Sequence, residues 1–190
     1  MASPTTMAAG ADTVTTGCAL LDRSPAGKLA LTGDQAREFL GGQVSNDTEA
    51  LEPGTGCYAA LLDNKGKMLG DLRVLFTPGG DELLLLCERV ALQPLFDALR
   101  RSIIGWRTEL HKRTVQQGLL SLIGPDAHRV AGASGLTAAE HASATGTIDG
   151  HDVLLVTTDL GVDVMCAAEA TEAVAAALEA GGAKRIDEDT

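Results

Sequence analysis

Apolar and polar positions alternate along this chain in short stretches, separated by clusters of Gly, Pro, Asn and Asp. Residues 28–32 (KLALT) have the period of two expected of a half-buried strand. Residues 17–22 (GCALLD) predict a shorter strand before it, closed by the turn residues of 23–27 (RSPAG). After Gly33-Asp34 the pattern becomes helical over residues 35–40, and Gly41-Gly42 stops it. Asn46-Asp47 and Pro53-Gly54 mark a loop. Residues 57–62 and 67–76 predict two strands joined through the tight turn Asp63-Asn64-Lys65-Gly66. A third strand is predicted over 82–87. A helix follows over 89–101, with Val90, Leu92, Leu95, Phe96 and Leu99 on its apolar side.

The second half repeats this order. It predicts a strand over 115–123, a short helix over 126–131 behind Pro125, and a soft small-residue stretch over 132–146. A hairpin over 153–158 and 161–166 and an Ala-rich helix over 168–180 complete it. The halves echo one another in sequence. LALTGDQAREFL at 29–40 resembles LSLIGPDAHRVA at 120–131, and LLLLCERVALQPLFDAL at 83–99 resembles VDVMCAAEATEAVAAAL at 162–178. The pattern predicts an internally duplicated α+β fold of mostly antiparallel sheets with packed helices. The expected halves are residues 17–112 and 113–186, behind a disordered leader at 1–16.

Composition narrows the function classes. The chain has 190 residues, 45% of them hydrophobic, enough for a core, but only five aromatic rings. So few rings do not suit an aromatic platform for single-stranded nucleic acid. A net charge of −11 argues against DNA or an anionic membrane as a general partner. No apolar run approaches the ~20 residues of a membrane span, and residues 1–16 lack the basic start and apolar stretch of a signal peptide. The cysteines, Cys18, Cys57, Cys87 and Cys166, have no CxxC spacing and read as reduced, mostly buried thiols of a cytoplasmic protein. The four histidines match no metal pattern and are expected as solvated surface residues, so no metal site is expected. Residues 100–113 hold Arg100, Arg101, Arg107, Lys112 and Arg113 against Glu109 alone. This +4 segment beside Trp106 is a candidate contact surface for an acidic ligand tail, RNA or protein.

The candidate chemistry lies in Gly56 and the residues after it, GCYAALLDNKGKMLGDL. Asp22, Gly33, Asn46-Asp47, Tyr58, Gly66 and Asp71-Leu72 fall in the order and spacing of a known pattern. In these the chain resembles the folate-binding amino-terminal domain shared by glycine-cleavage T-protein (aminomethyltransferase) and the YgfZ-type folate-binding proteins, over roughly residues 17–185. The resemblance implies tetrahydrofolate as the ligand. It implies a catalytic role for Asp71 beside the folate's reactive nitrogens, and a pterin pocket lined by Tyr58, Asp71, Leu86, Cys87 and Glu88. The family's preceding Asp is Gly70 here, and its usual Asn is Glu88. The T-protein start Phe-Asp-Val-Ser-His-Met-Gly appears as Leu21-Asp22-Arg23-Ser24-Pro25-Ala26-Gly27. These departures favour the YgfZ branch, which implies a role with protein clients in iron–sulfur cluster assembly or repair and in tRNA modification. A T-protein-type aminomethyltransferase and a non-catalytic scaffold on the same fold are the alternatives. The resemblance also implies a carboxy-terminal β domain, and the Lys-Gly-Cys-Tyr signature of YgfZ-type proteins, neither of which is in this chain. A portion of a longer protein is therefore expected.

Overall fold

The computed structural model describes residues 15–63 and 65–187. The expected leader falls almost wholly outside these residues, as does Asn64 of the predicted turn. In chain order the elements are β1 (Ala19–Asp22), β2 (Gly27–Thr32), α1 (Ala36–Gly41), β3 (Gly56–Leu62), β4 (Met68–Phe76), β5 (Glu82–Cys87) and α2 (Leu92–Ser102). They continue as β6 (Glu109–Lys112), β7 (Gln117–Ile123), α3 (Ala127–Val130), β8 (Ser143–Ile148) and β9 (His151–Thr157). Last come β10 (Gly161–Ala167), a 3-10 turn (Ala168–Ala170), α4 (Thr171–Ala180) and β11 (Lys184–Ile186). Two compact units result: Ala26–Val115, and the flanking segments up to Pro25 and from Gln116 onward. The α+β class with antiparallel-rich sheets is as the pattern predicts.

In the unit of residues 26–115 the sheet runs β3-β4-β5-β2-β6, every pair antiparallel. Leu29, Leu31, Leu72, Val74, Leu83 and Leu85 lie on one face and pack with Phe39 and Leu40 of α1 and Leu92, Leu95 and Leu99 of α2. The alternation of β2 and β4 sets this face. The run ELLLLC of β5 has no alternation because Leu84 and Leu86, on the other face, are buried too. Trp106 meets Phe39 edge-on, with ring centroids 5.6 Å apart. The helix predicted over 89–101 starts only at Leu92, because Glu88–Ala91 form a turn closed by the Ala91 N–H on the Glu88 carbonyl at 3.0 Å.

In the other unit the sheet runs β11-β1-β7-β10-β9-β8. Leu20, Leu120, Leu122, Val162, Val164 and Cys166 pack with Val174, Ala175 and Leu178 of α4. β8 starts within the stretch expected to be soft and runs past its end, pairing with β9 over six residues. Its sequence SATGTI carries too little apolar periodicity to announce a strand. The short strands β6 (ELHK) and β11 (KRI) are likewise invisible in the pattern, being defined by their sheet neighbours. His141 departs from the expected solvated histidine. It is 6% exposed and adopts φ 66°, its N–H bonding the Thr157 carbonyl at 2.9 Å.

The duplication extends to register. Gly27 pairs with Cys87 and Thr32 with Glu82; Gly118 pairs with Cys166 and Ile123 with Gly161. Each glycine admits the first turn of the helix that follows the Cys strand. A Cβ on Gly27 would lie 2.6 Å from the Cys87 Sγ, and one on Gly118 2.1 Å from the Thr171 Oγ1. Gly33 and Gly124, which end the matching strands, take φ +107° and +118°. One feature departs from the halves drawn at 17–112 and 113–186. β1 does not join the sheet of β2; it pairs with β7, Ala19 opposite Ile123. β6, which leads the second repeat although the halves as drawn leave it in the first, does the reverse and pairs with β2, Glu109 opposite Thr32. Each copy's leading strand thus sits in the other copy's sheet, at the same register.

Candidate functional site

The sequence-derived site residues gather on one part of the 26–115 unit. Tyr58 lies on β3 opposite Arg73, and Ala60 opposite Asp71, so all four side chains share the sheet face away from α1 and α2. Tyr58 sits diagonally from Asp71, and its hydroxyl donates a hydrogen bond to the Asp71 Oδ2. That bond, with neighbouring negative charge, raises the Tyr58 phenol above its ordinary value. Leu86 on β5 pairs with Arg73 and extends the face as a buried apolar floor. Glu88 is exposed just past the end of β5, and its charge adds to the raised values of both Tyr58 and Cys87.

Cys87 is placed differently. Its partner is Gly27, and its thiol belongs to the core on the helix side. Burial first, then Glu88 and Asp71, push its pKa up to about 11. Only its backbone lies at the level of Leu86 and Glu88. Gly70, which replaces one carboxylate of the family's pair, also faces the helices. A Cβ there would lie 3.0 Å from the Ala91 Cβ and 3.3 Å from the Leu95 Cδ2.

The loop beyond edge strand β3 fixes the site from outside. The Asn46 side-chain amide donates to the Tyr58 carbonyl at 3.0 Å. The Ser45 N–H bonds the Ala60 carbonyl at 2.9 Å, and the Ser45 Oγ accepts the Ala60 N–H at 2.9 Å. Asp47 accepts the N–H groups of Glu49 and Ala50 at 3.0 and 3.2 Å. Asn46 and Asp47 are therefore loop formers that hold the Tyr58 strand. The sequence shows them as turn signals; which strand edge they would cover depends on tertiary pairing.

The basic segment is largely committed within its own unit. Arg107 pairs with Asp34 at 3.2 Å and Arg113 with Glu82 at 3.0 Å. Lys112 donates to Gln93 at 2.8 Å and lies over the Phe96 ring at 4.3 Å. Arg100 and Arg101 end α2, where cations complement the helix dipole. Trp106, beside this segment, packs edge-on against Phe39. The four cysteines are free thiols, with Cys57 the half-buried one. Among the described residues no group of three or more His, Cys, Asp or Glu could hold a metal, and no helix is long and apolar enough to cross a membrane.

Known proteins share this fold. A probable aminomethyltransferase of Thermococcus gammatolerans is 27% identical over 124 residues, 62% of this chain and 31% of that protein. The crystal structure of glycine cleavage system aminomethyltransferase T from Bartonella henselae superposes with a TM-score of 0.77 at 20% identity, over 91% of this chain and 48% of that one. A chain of heterotetrameric sarcosine oxidase from Corynebacterium gives 0.62 at 19% identity, over 92% of this chain and 89% of that one. The chain thus spans less than half of either aminomethyltransferase. The model of the GCVT N-terminal domain matches residues 3–186, nearly the whole chain, and the chain belongs to that family.

Proposed function

We propose that the Tyr58–Asp71 face binds a reduced folate, with tetrahydrofolate as the ligand. The observation that carries this reading is the Tyr58–Asp71 hydrogen bond on an exposed strand pair with an apolar floor. A pterin needs a flat surface to stack on and a carboxylate to accept its N–H groups. Tyr58, 55% exposed, supplies the ring, and Asp71 the carboxylate, held in place by the phenol. Leu86 gives the apolar floor, and Glu88 a second carboxylate at the rim. Asp71 is the group to orient or exchange a proton at the folate nitrogens during one-carbon transfer.

The departures at Gly70, Glu88 and residues 21–27 favour a YgfZ-type role over a transferase: folate binding in support of iron–sulfur cluster assembly or repair and tRNA modification, with protein clients, in the cytoplasm. The second reading is an aminomethyltransferase acting on tetrahydrofolate, and the names of the two aminomethyltransferase relatives support it. Calorimetric titration with tetrahydrofolate tests the shared core of both. Asp71→Asn is expected to weaken binding about tenfold or more, and Tyr58→Ala by a similar factor through lost stacking. Unchanged affinity in both variants would remove the site. Release of ammonia and a one-carbon unit from an aminomethyl carrier, dependent on tetrahydrofolate, separates the transferase from the YgfZ-type reading.

A further inference from the structure

The described strands leave four sheet edges, and three of them are guarded against further pairing. β3 is covered by its own loop: Val44 bridges to Leu61, and Ser45 and Asn46 bond the backbone of Ala60 and Tyr58. β6 (ELHK) and β11 (KRI) carry exposed charges, which deter an incoming strand. β8 (SATGTI) has neither device. It holds the place in its repeat that β3 holds in the other, two strands out from the Cys-bearing strand. Among the described residues the loop before β8 gives no such cover, and the His141 N–H turns to the Thr157 carbonyl at the end of β9.

β8 joins β9 through Asp149 and Gly150, whose φ values of 49° and 78° make a two-residue type I′ turn. Such a turn is closed by a residue pair that exchanges both backbone hydrogen bonds, here Ile148 with His151. Bonded pairs then recur at every second residue, so Gly146 and Ala144 bond to β9. The N–H and C=O groups of Ser143, Thr145 and Thr147 consequently point out from the edge. Their side chains lie on the face away from α4, because Gly146 faces Val153 and Leu155 of the helix-side core. The Ser143 Oγ is buried and has no hydrogen-bond partner. No residue of β8 is charged, in a chain of net charge −11.

We propose that β8 pairs antiparallel with β8 of a second copy of the chain, about a two-fold axis through Thr145. An axis normal to the sheet keeps the helix layers of both copies on one side. Thr145 then meets Thr145, and Ser143 meets Thr147 of the second copy. These are the residues whose backbone groups point outward, so each pair can exchange both hydrogen bonds. The register also sets a Thr147 hydroxyl across from the unpartnered Ser143 Oγ, a pairing that hydrogen-bonds across antiparallel strands. On the helix side Ala144 meets Gly146, and neither residue is bulky enough to hold the strands apart. Two acidic chains can meet along this seam because the strand itself brings no like charges together. The pairing is independent of what the Tyr58–Asp71 face binds.

Sedimentation equilibrium of the full chain tests the pairing. A dimer is expected that predominates at about 100 µM and dissociates on dilution. Thr145→Lys sets two ammonium groups opposite one another at the axis, and is expected to raise the dimer Kd about tenfold or more. Ile104→Lys, at a position 85% exposed in the 26–115 unit, is expected to leave the Kd unchanged. Oxidative cross-linking reads the register. Thr145→Cys is expected to form an intermolecular disulfide, since the paired Cα atoms would lie about 5.5 Å apart. Thr147→Cys, with about 14 Å between its two copies, is expected to form none above the level of the parent chain. Thermal melting checks that the variants stay folded, and the two cysteine variants decide alone if Thr145→Lys does not. A monomer at every concentration would overturn the proposal. So would a dimer that Thr145→Lys leaves intact, one that Ile104→Lys weakens equally, or cross-linking through Thr147→Cys as readily as through Thr145→Cys.

Discussion

Burial acts on single thiols in both units. Cys18 is 2% exposed and Cys87 8%, and desolvation is the largest cause that moves each from 9.0 to about 11. An acid whose folded pKa is raised holds its proton longer in the native state than in the unfolded chain. The stability it contributes is complete below about pH 9 and is lost as pH rises through about 11. The urea midpoint is therefore expected to fall between pH 9 and pH 11. Cys18→Ala with Cys87→Ala should flatten that slope, whatever the cavities do to the absolute midpoint. An unchanged slope would mean that other groups govern the alkaline limb. The same protonation keeps both thiols poor nucleophiles at neutral pH, in keeping with a packing role.

Gly70 shows how an element limits chemistry. β4 approaches the start of α2 so closely that a Cβ at this position meets Ala91 and Leu95 within 3.3 Å. Gly70→Asp restores the pair of carboxylates in sequence, yet it would drive a charged group into the strand–helix seam. It is expected to destabilise the chain by about 2–4 kcal/mol and to leave tetrahydrofolate affinity no better. Chemical denaturation and calorimetry read the two effects separately. Strand and helix patterns made β2 to β5 and α2 legible from the residues alone, since their apolar sides must meet a core. Tyr58 and Asp71 were legible as candidates through the order of motifs around them. Their diagonal contact depends on cross-strand register, and so does the opposite facing of Cys87. The bulge at Leu61/Leu62 sets the facing of Met68, and no local sequence signal announces it.

Across the whole molecule the duplication was legible as two echoing segment pairs, because glycine turns and Cys-ended strands recur at matching positions. The exchange of β1 and β6 was not. A four-residue strand such as ALLD or ELHK shows no preference between two sheets of the same construction; burial of Leu20 and Leu110 satisfies the pattern in either. The exchange predicts where damage travels. Leu21→Pro removes a ladder donor from β1. Hydrogen exchange should then quicken in β7 and β11, distant in sequence, and leave the adjoining β2 comparatively protected. Faster exchange confined to β2 would contradict the pairing.

Synthesis on the ribosome gives the exchange a further consequence. The strand of residues 19–22 emerges before either of its partners, which lie at 117–123 and 184–186. Its backbone groups, with Leu20 and Leu21 beside them, stay without their native partners while the whole 26–115 unit is made. That unit, by contrast, has every strand of its own sheet once residue 112 has emerged. The earliest described strand is thus a sticky edge until residue 123 has emerged, and in that interval it is a place where the nascent chain is open to capture by a chaperone or by a neighbouring chain.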